Sequence, residues 1–317
     1  MTSHTTRASS SRRRSWSTIF GTRAITAQLY GLGYSTVVRN NALPRTTLIG
    51  GLLLIAGSAV WLVLNDATGI RHSADHDGTV PMWHRWVPVA AGLLVARLVP
   101  ATTPPEAHEP PGRALRVQAG VMLAAGVLFA VTLRLVGGGE PAHTALKLLL
   151  LLAVPLVLFR VTRGVRLGAP DAAAWRRYGP VAPVAVWLSL SYAGPTAVPP
   201  GSSWAGTSLA CALAAVVVVF AVNALLEEVF YRRWLQTRWE RILGRWPAVV
   251  LVSLLFGAWH VGIMGTGDLT RDLASVFVNQ AVQGLFLGYL WSKYRMMWPI
   301  LVVHGMINVG PSLVRLL

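Results

Sequence analysis

Two carboxylates, two imidazoles and a carboxamide stand in stretches of this chain that are otherwise apolar. The pair Glu227 and Glu228 closes a long apolar run, with Arg232 following. Of the eight histidines, His260 and His304 lie inside apolar stretches, in Phe256-Gly-Ala-Trp-His260 and His304-Gly-Met-Ile-Asn308. Ionisable groups are costly within a bilayer, and those that persist there usually serve a function.

The spacing assigns them different tasks. Adjacent helical residues point about 100° apart, so the two carboxylates cannot share one role. Glu228 and Arg232 are i, i+4, the spacing of an intrahelical ion pair. Glu227 then faces elsewhere, unpaired along its own helix, where it can take a proton from water and return it to a leaving amine. Phe256 and His260 share a helix face, as do His304 and Asn308. Imidazole and carboxamide both donate hydrogen bonds, so His304 and Asn308 together suit a developing oxyanion. Each signature also has a plain structural reading: a charged span end, a satisfied core histidine, or hydrogen bonds between helices. All three fall within 82 residues, on spans able to pack together, and that convergence favours an active site.

The elements that must position these groups follow from composition. The chain has 317 residues, 54% hydrophobic and 13% charged, against about 25% charged in soluble domains. Nine apolar spans are expected: Thr47–Leu64, Trp86–Pro100, Leu115–Val136, Thr144–Phe159, Val181–Tyr192, Ser208–Gln236, Pro247–Val261, Leu273–Trp291 and Trp298–Val314. They are apolar all round and do not alternate, which predicts an all-α polytopic membrane protein and not a barrel. Three regions result: a basic cytoplasmic tail over 1–46, an N-terminal transmembrane region over 47–207, and a transmembrane region over 208–317 that holds the chemistry.

A net charge of +16 first suggests nucleic acid, but most of the 26 Arg and 2 Lys lie between apolar runs. That placement excludes nucleic acid as a partner and follows the positive-inside rule. With the N-terminus cytoplasmic, the inner segments hold 22 Lys and Arg and the outer ones 6, which puts the C-terminus outside. Arginine and alanine richness is the composition of a GC-rich bacterial genome, and so of a cell-membrane protein. Cys211, the single cysteine, excludes an internal disulfide and reads as a buried structural thiol. The first five spans carry no convergent chemistry. The loop 101–112 reads as a linker. The outer loop with His72, Asp75, His76, Asp77 and His84 fits no familiar metal-ligand spacing.

The ordered set EExxxR, FxxxH and HxxxN resembles the CAAX prenyl-protease and bacteriocin-processing (CPBP, or Abi) family of intramembrane glutamic endopeptidases. The set is complete in Glu227, Glu228, Arg232, Phe256, His260, His304 and Asn308, and the resemblance covers roughly Ser208–Val314. It implies that Glu227 activates a water together with His260, that Glu228 and Arg232 hold the site in shape, and that His304 and Asn308 support the oxyanion. It implies hydrolysis of a membrane-associated protein or peptide without a covalent enzyme intermediate and without a cofactor. Were zinc present, His260, His304 and Glu227 would be its ligands, although no HExxH occurs. Two other readings keep the same residues: a binding or immunity protein that sequesters a peptide, and a transporter, against which no internal repeat is visible. Asn279, Gln280 and Gln283 could line any such cavity.

Depth poses a difficulty. Glu227 lies toward the inner end of its span, His260 about 20 Å from the inner face and His304 about 9 Å, at 1.5 Å per residue. For them to meet, the sixth helix must run well past Glu228, or the seventh must begin inside the inner loop. The cavity around them is expected to open on the cytoplasmic side.

Overall fold

The computed structural model describes residues 42–72, 74, 78–99, 112–162, 165, 178–197 and 208–313. Residues 1–41 of the basic tail, the loop 100–111, and Asp75, His76 and Asp77 lie outside the described residues. The described residues form nine helices: α1 (Ala42–Leu64), α2 (Trp83–Leu98), α3 (Arg113–Val136), α4 (Ala142–Val161), α5 (Val181–Tyr192), α6 (Ala210–Leu243), α7 (Arg245–Met264), α8 (Leu269–Tyr294) and α9 (Met297–Leu313). The sheet among them is one two-stranded antiparallel hairpin, β1 (Gly69–Arg71) and β2 (Thr79–Pro81), with Ile70 opposite Val80.

Each expected apolar span has its helix, and six of the nine helices are long and apolar enough to cross a membrane: α1, α3, α4, α6, α7 and α8. The protein is a multi-pass, almost entirely helical membrane protein. The 12-residue α5 reaches only about 18 Å, short of a hydrocarbon core of about 30 Å. The 16-residue α2 and 17-residue α9 come to about 25 Å by the same rise.

Contacts between helix ends fix the direction of travel. At one end, Arg238 Nε donates to Gln118 Oε1 at 2.8 Å, Gln118 Nε2 donates to the Thr162 carbonyl at 3.0 Å, and Arg295 pairs with Glu240. Lys293 donates there to the carbonyls of Ala96 and Val99, at the end of α2. At the other end, Asn279 Nδ2 donates to the Arg71 carbonyl at 2.8 Å and Gly138 packs directly on Gly262. The helices α2, α3 and α4, and then α6 to α9, therefore run alternately between an arginine-rich end and an end that carries the hairpin and the loops 137–141 and 265–268.

Apolar side chains point outward along the long helices, among them Leu52, Leu53 and Leu54 of α1, Val127 and Leu128 of α3, and Val217 and Val218 of α6. Water would penalise such a surface, and lipid does not. Cys211 is exposed on this same surface of α6, so it is not the buried thiol expected from its apolar neighbours. Inside, one cluster joins Val89, Trp187, Phe286, Leu290 and Ile300. A second joins Phe129, Leu151, Phe230, Leu235, Val252, Leu255 and Phe256. The charged motifs lie beside the second.

The depth difficulty is resolved by α6, whose 34 residues span about 50 Å. It continues past Glu228 to Leu243, and α7 starts immediately after Gly244, whose φ of 85° makes the corner. A side chain at that φ would be strained. Wide π-type turns interrupt three helices at four places: Lys147–Ala153 in α4, Phe220–Leu225 and Val229–Gln236 in α6, and Phe277–Ala281 in α8. Such turns often accompany functional sites. Here they flank Glu227 and Glu228, begin at Lys147, and contain Asn279 and Gln280.

Candidate active site

Glu227 and Glu228 sit mid-way along α6, both buried, on the short α-helical turn between two wide turns. As the spacing predicts, Glu228 approaches Arg232: Oε2 lies 3.3 Å from the Arg232 Nε. It also accepts, through Oε1, a hydrogen bond from His304 Nδ1 at 2.7 Å. The carboxylate thus ties α6 to α9, a link that spacing along one helix cannot reveal. Arg232 is wholly buried, with its guanidinium 4.8 Å from the centre of the Phe256 ring. Phe256 stacks edge-on against both histidines, 5.0 Å from the His260 ring and 5.7 Å from that of His304. One ring thus contacts both imidazoles.

His260 ends the first part of α7, and its Nδ1 lies 2.8 Å from the Phe256 carbonyl. A carbonyl only accepts, so Nδ1 carries the proton and a neutral His260 presents the lone pair on Nε2. His304 is held differently. Its Nδ1 donates to Glu228, while Nε2 lies 3.8 Å from Glu227 Oε2. Asn308, one turn on, has a buried Nδ2 with no hydrogen-bond partner, a spare donor of the kind that buried amides rarely leave idle.

Glu227 is not unpaired. Its Oε1 is 2.5 Å from the ammonium of Lys147 on α4, which also donates to Asn223 Oδ1 at 2.6 Å. Its Oε2 has no hydrogen-bond partner. The first five spans were expected to carry no convergent chemistry, and α4 contradicts that. The signal in the sequence was a lysine inside an apolar run, one of only two lysines in the chain. His143, one turn before Lys147, is also buried, stacked between Phe129 and Trp259, with Nδ1 3.1 Å from Glu140 Oε1.

These groups share one cavity of about 300 Å³, lined by Glu227, His260, His304, Asn308, Lys147 and Phe256. Asn279, Gln280 and Gln283 line it too, as their sequence placement allowed. His72, Ala74, Gly138 and Glu140 form its rim. The cavity therefore opens at the end that carries the hairpin, opposite the arginine-rich loops, and not toward the side expected to be cytoplasmic. The reason is packing below Glu227. There Phe230, Tyr231 and Leu235 fill the interior, Gln236 Nε2 donates to the Gly288 carbonyl at 2.8 Å, and a Cβ on Gly284 would meet Ser253 at 3.0 Å.

Of the three groups a zinc ion would use, His260, His304 and Glu227, the last is paired at Oε1 with the Lys147 ammonium. Among the described residues, no three His, Cys, Asp or Glu side chains are grouped to hold a metal ion. Of the outer-loop histidines, His72 and His84 are described, and His76 lies outside the described residues.

No curated protein and no solved structure matched the chain on comparison. A family model did match, over the stretch from the start of α6 into α9. Residues 209–310, which include all seven motif residues, match the family described as type II CAAX prenyl endopeptidase Rce1-like, and the resemblance read from the motifs holds for this stretch.

Proposed function

We propose that the protein is an intramembrane endopeptidase that hydrolyses a peptide bond of a membrane-associated protein or peptide, with a water activated by Glu227 and His260. The observation that supports this best is that Glu227, His260, His304 and Asn308 line a single cavity although they come from three helices. The water stands between the free Glu227 Oε2 and the His260 Nε2. Its oxygen attacks the scissile carbonyl carbon while its proton passes to Glu227. The carbonyl oxygen becomes an oxyanion facing His304 Nε2 and Asn308 Nδ2. As the intermediate collapses, the carbon–nitrogen bond breaks, and the proton held by Glu227 goes to the leaving amine. The products are a carboxylic acid and an amine, and no bond to the enzyme forms.

Glu228 holds His304 by its Nδ1 and keeps Arg232 compensated, so its part is to position. The reaction needs no metal in this scheme. In the bacterial cell membrane, with the N-terminus cytoplasmic, the cavity faces outward and the C-terminus lies outside. The test is cleavage of a library of acylated, internally quenched peptides by the purified protein in detergent. Glu227→Gln and His260→Ala should each abolish turnover per folded molecule, Glu227→Gln with some loss of stability because it leaves the buried Lys147 ammonium without its carboxylate. Turnover by Glu227→Gln at the wild-type rate would refute the proposal.

A further inference from the structure

We propose that Lys147, which lies outside the family-matched stretch, is a positioning residue for the hydrolytic water. Its ammonium clamps Glu227 through Oε1, so that Oε2 alone is presented to the cavity. This rests on Glu227 being the proton acceptor.

The geometry is a three-point clamp. Lys147 Nζ donates to Glu227 Oε1 and to Asn223 Oδ1, at 2.5 and 2.6 Å. Asn223 lies one turn before Glu227 on α6, so both acceptors face α4. Nζ also stands 4.9 Å from the centre of the Trp259 ring. That ring lies 3.8 Å from the His260 ring, so the cation links the carboxylate to the wall that carries the second water-activating group. Two of the three ammonium protons are thus spent on oxygens, and the third side faces a π surface.

Lys147 is fully buried, and taking an ammonium out of water costs several kcal/mol. An apolar residue would join α4 to α6 in a bilayer at no such cost. The charge is explained by its partner. A buried carboxylate free to rotate would share its two oxygens between His304, 3.8 Å away, and the cavity. With Oε1 held, that rotation is stopped. Lysine also suits this better than arginine, whose planar fork takes both oxygens of a carboxylate at once.

The experiment measures kcat and KM on the same acylated quenched-peptide library, per folded molecule, for Lys147→Met, Lys147→Ala and Asn223→Ala. Lys147→Met should lower kcat about a hundredfold with KM within about twofold, as for a catalytic group misplaced by about 1 Å. Asn223→Ala keeps the ion pair and should lower kcat less, by roughly tenfold. Ethylammonium added to Lys147→Ala should enter the cavity and restore part of kcat, which a purely structural lysine would not allow. Wild-type kcat in Lys147→Met overturns the inference. If the lysine variants do not fold, wild-type kcat in Asn223→Ala overturns it instead. Glu227→Gln is run alongside: if it turns over normally, the parent reading fails, whereas a dead Glu227→Gln beside a normal Lys147→Met defeats only the role of Lys147.

Discussion

Replacing Glu228 by glutamine removes one charge and almost no volume, and its consequences can be worked from the contacts. Glu228 is the carboxylate beside the Arg232 guanidinium, and both side chains are completely buried. None of the three guanidinium nitrogens has a hydrogen-bond partner. Glutamine therefore leaves a buried cation without its compensating charge, a change that typically costs 3–5 kcal/mol, about. The Phe256 ring attracts the same guanidinium by about 2 kcal/mol when desolvated. That attraction is present before and after the substitution, so it does not offset the loss. Against a total stability on the order of 5–15 kcal/mol, the deficit is large. Thermal unfolding in detergent, followed by tryptophan fluorescence, should show Glu228→Gln clearly destabilised. The double variant Glu228→Gln/Arg232→Met should recover most of the loss, because no stranded charge remains. Equal stability of Glu228→Gln and wild type would refute the reasoning, as would a double variant no more stable than the single one.

Other outcomes follow from the same contacts. Asn308→Ala should lower kcat by about a hundredfold or more, on the scale of a lost oxyanion donor, with KM little changed; a destabilised protein with a normal rate per folded molecule would instead make Asn308 a packing residue. Purified protein should hold substoichiometric zinc and keep its activity after dialysis against a strong chelator, and loss on chelation with recovery on adding zinc would contradict the metal-free scheme. Reporter fusions after Val198 and after Arg241 should report opposite sides of the membrane, since α6 separates them; the same side for both would remove α6 as a span and the site with it.

The sequence carried the helical fold, and its motifs picked out residues that the structure brings to one cavity, because both are written locally. Uniform apolar runs marked where the nine helices lie, and i, i+4 spacing paired Glu228 with Arg232 and His304 with Asn308. It could not carry what depends on distance along the chain. Lys147 and Glu227 are 80 residues apart, and Glu228 and His304 are 76 apart. No periodicity links such pairs. The expected span ended at Gln236, short of Leu243, because Arg238 and Arg241 look like an inner loop. Yet Arg232 and Arg238 are buried, one against Phe256 and the other 4.5 Å from the Phe159 ring, so the helix runs on. The mouth of the cavity was assigned to the wrong end for a related reason. Which end of a bundle stays open is set by packing, here the close approach of α7 and α8 below Glu227, and charge says nothing about it.

The central claim is that Glu227 turns this cavity into a peptide-hydrolysing site, and comparative peptidomics of membranes tests it most directly. Cells carrying the wild-type protein or Glu227→Gln, matched for abundance in the membrane, are compared for peptides and for new protein termini. The account predicts a defined set of cleavage products present with the wild type and absent with Glu227→Gln. Identical product sets from the two, with the wild type folded and membrane-inserted, would contradict it.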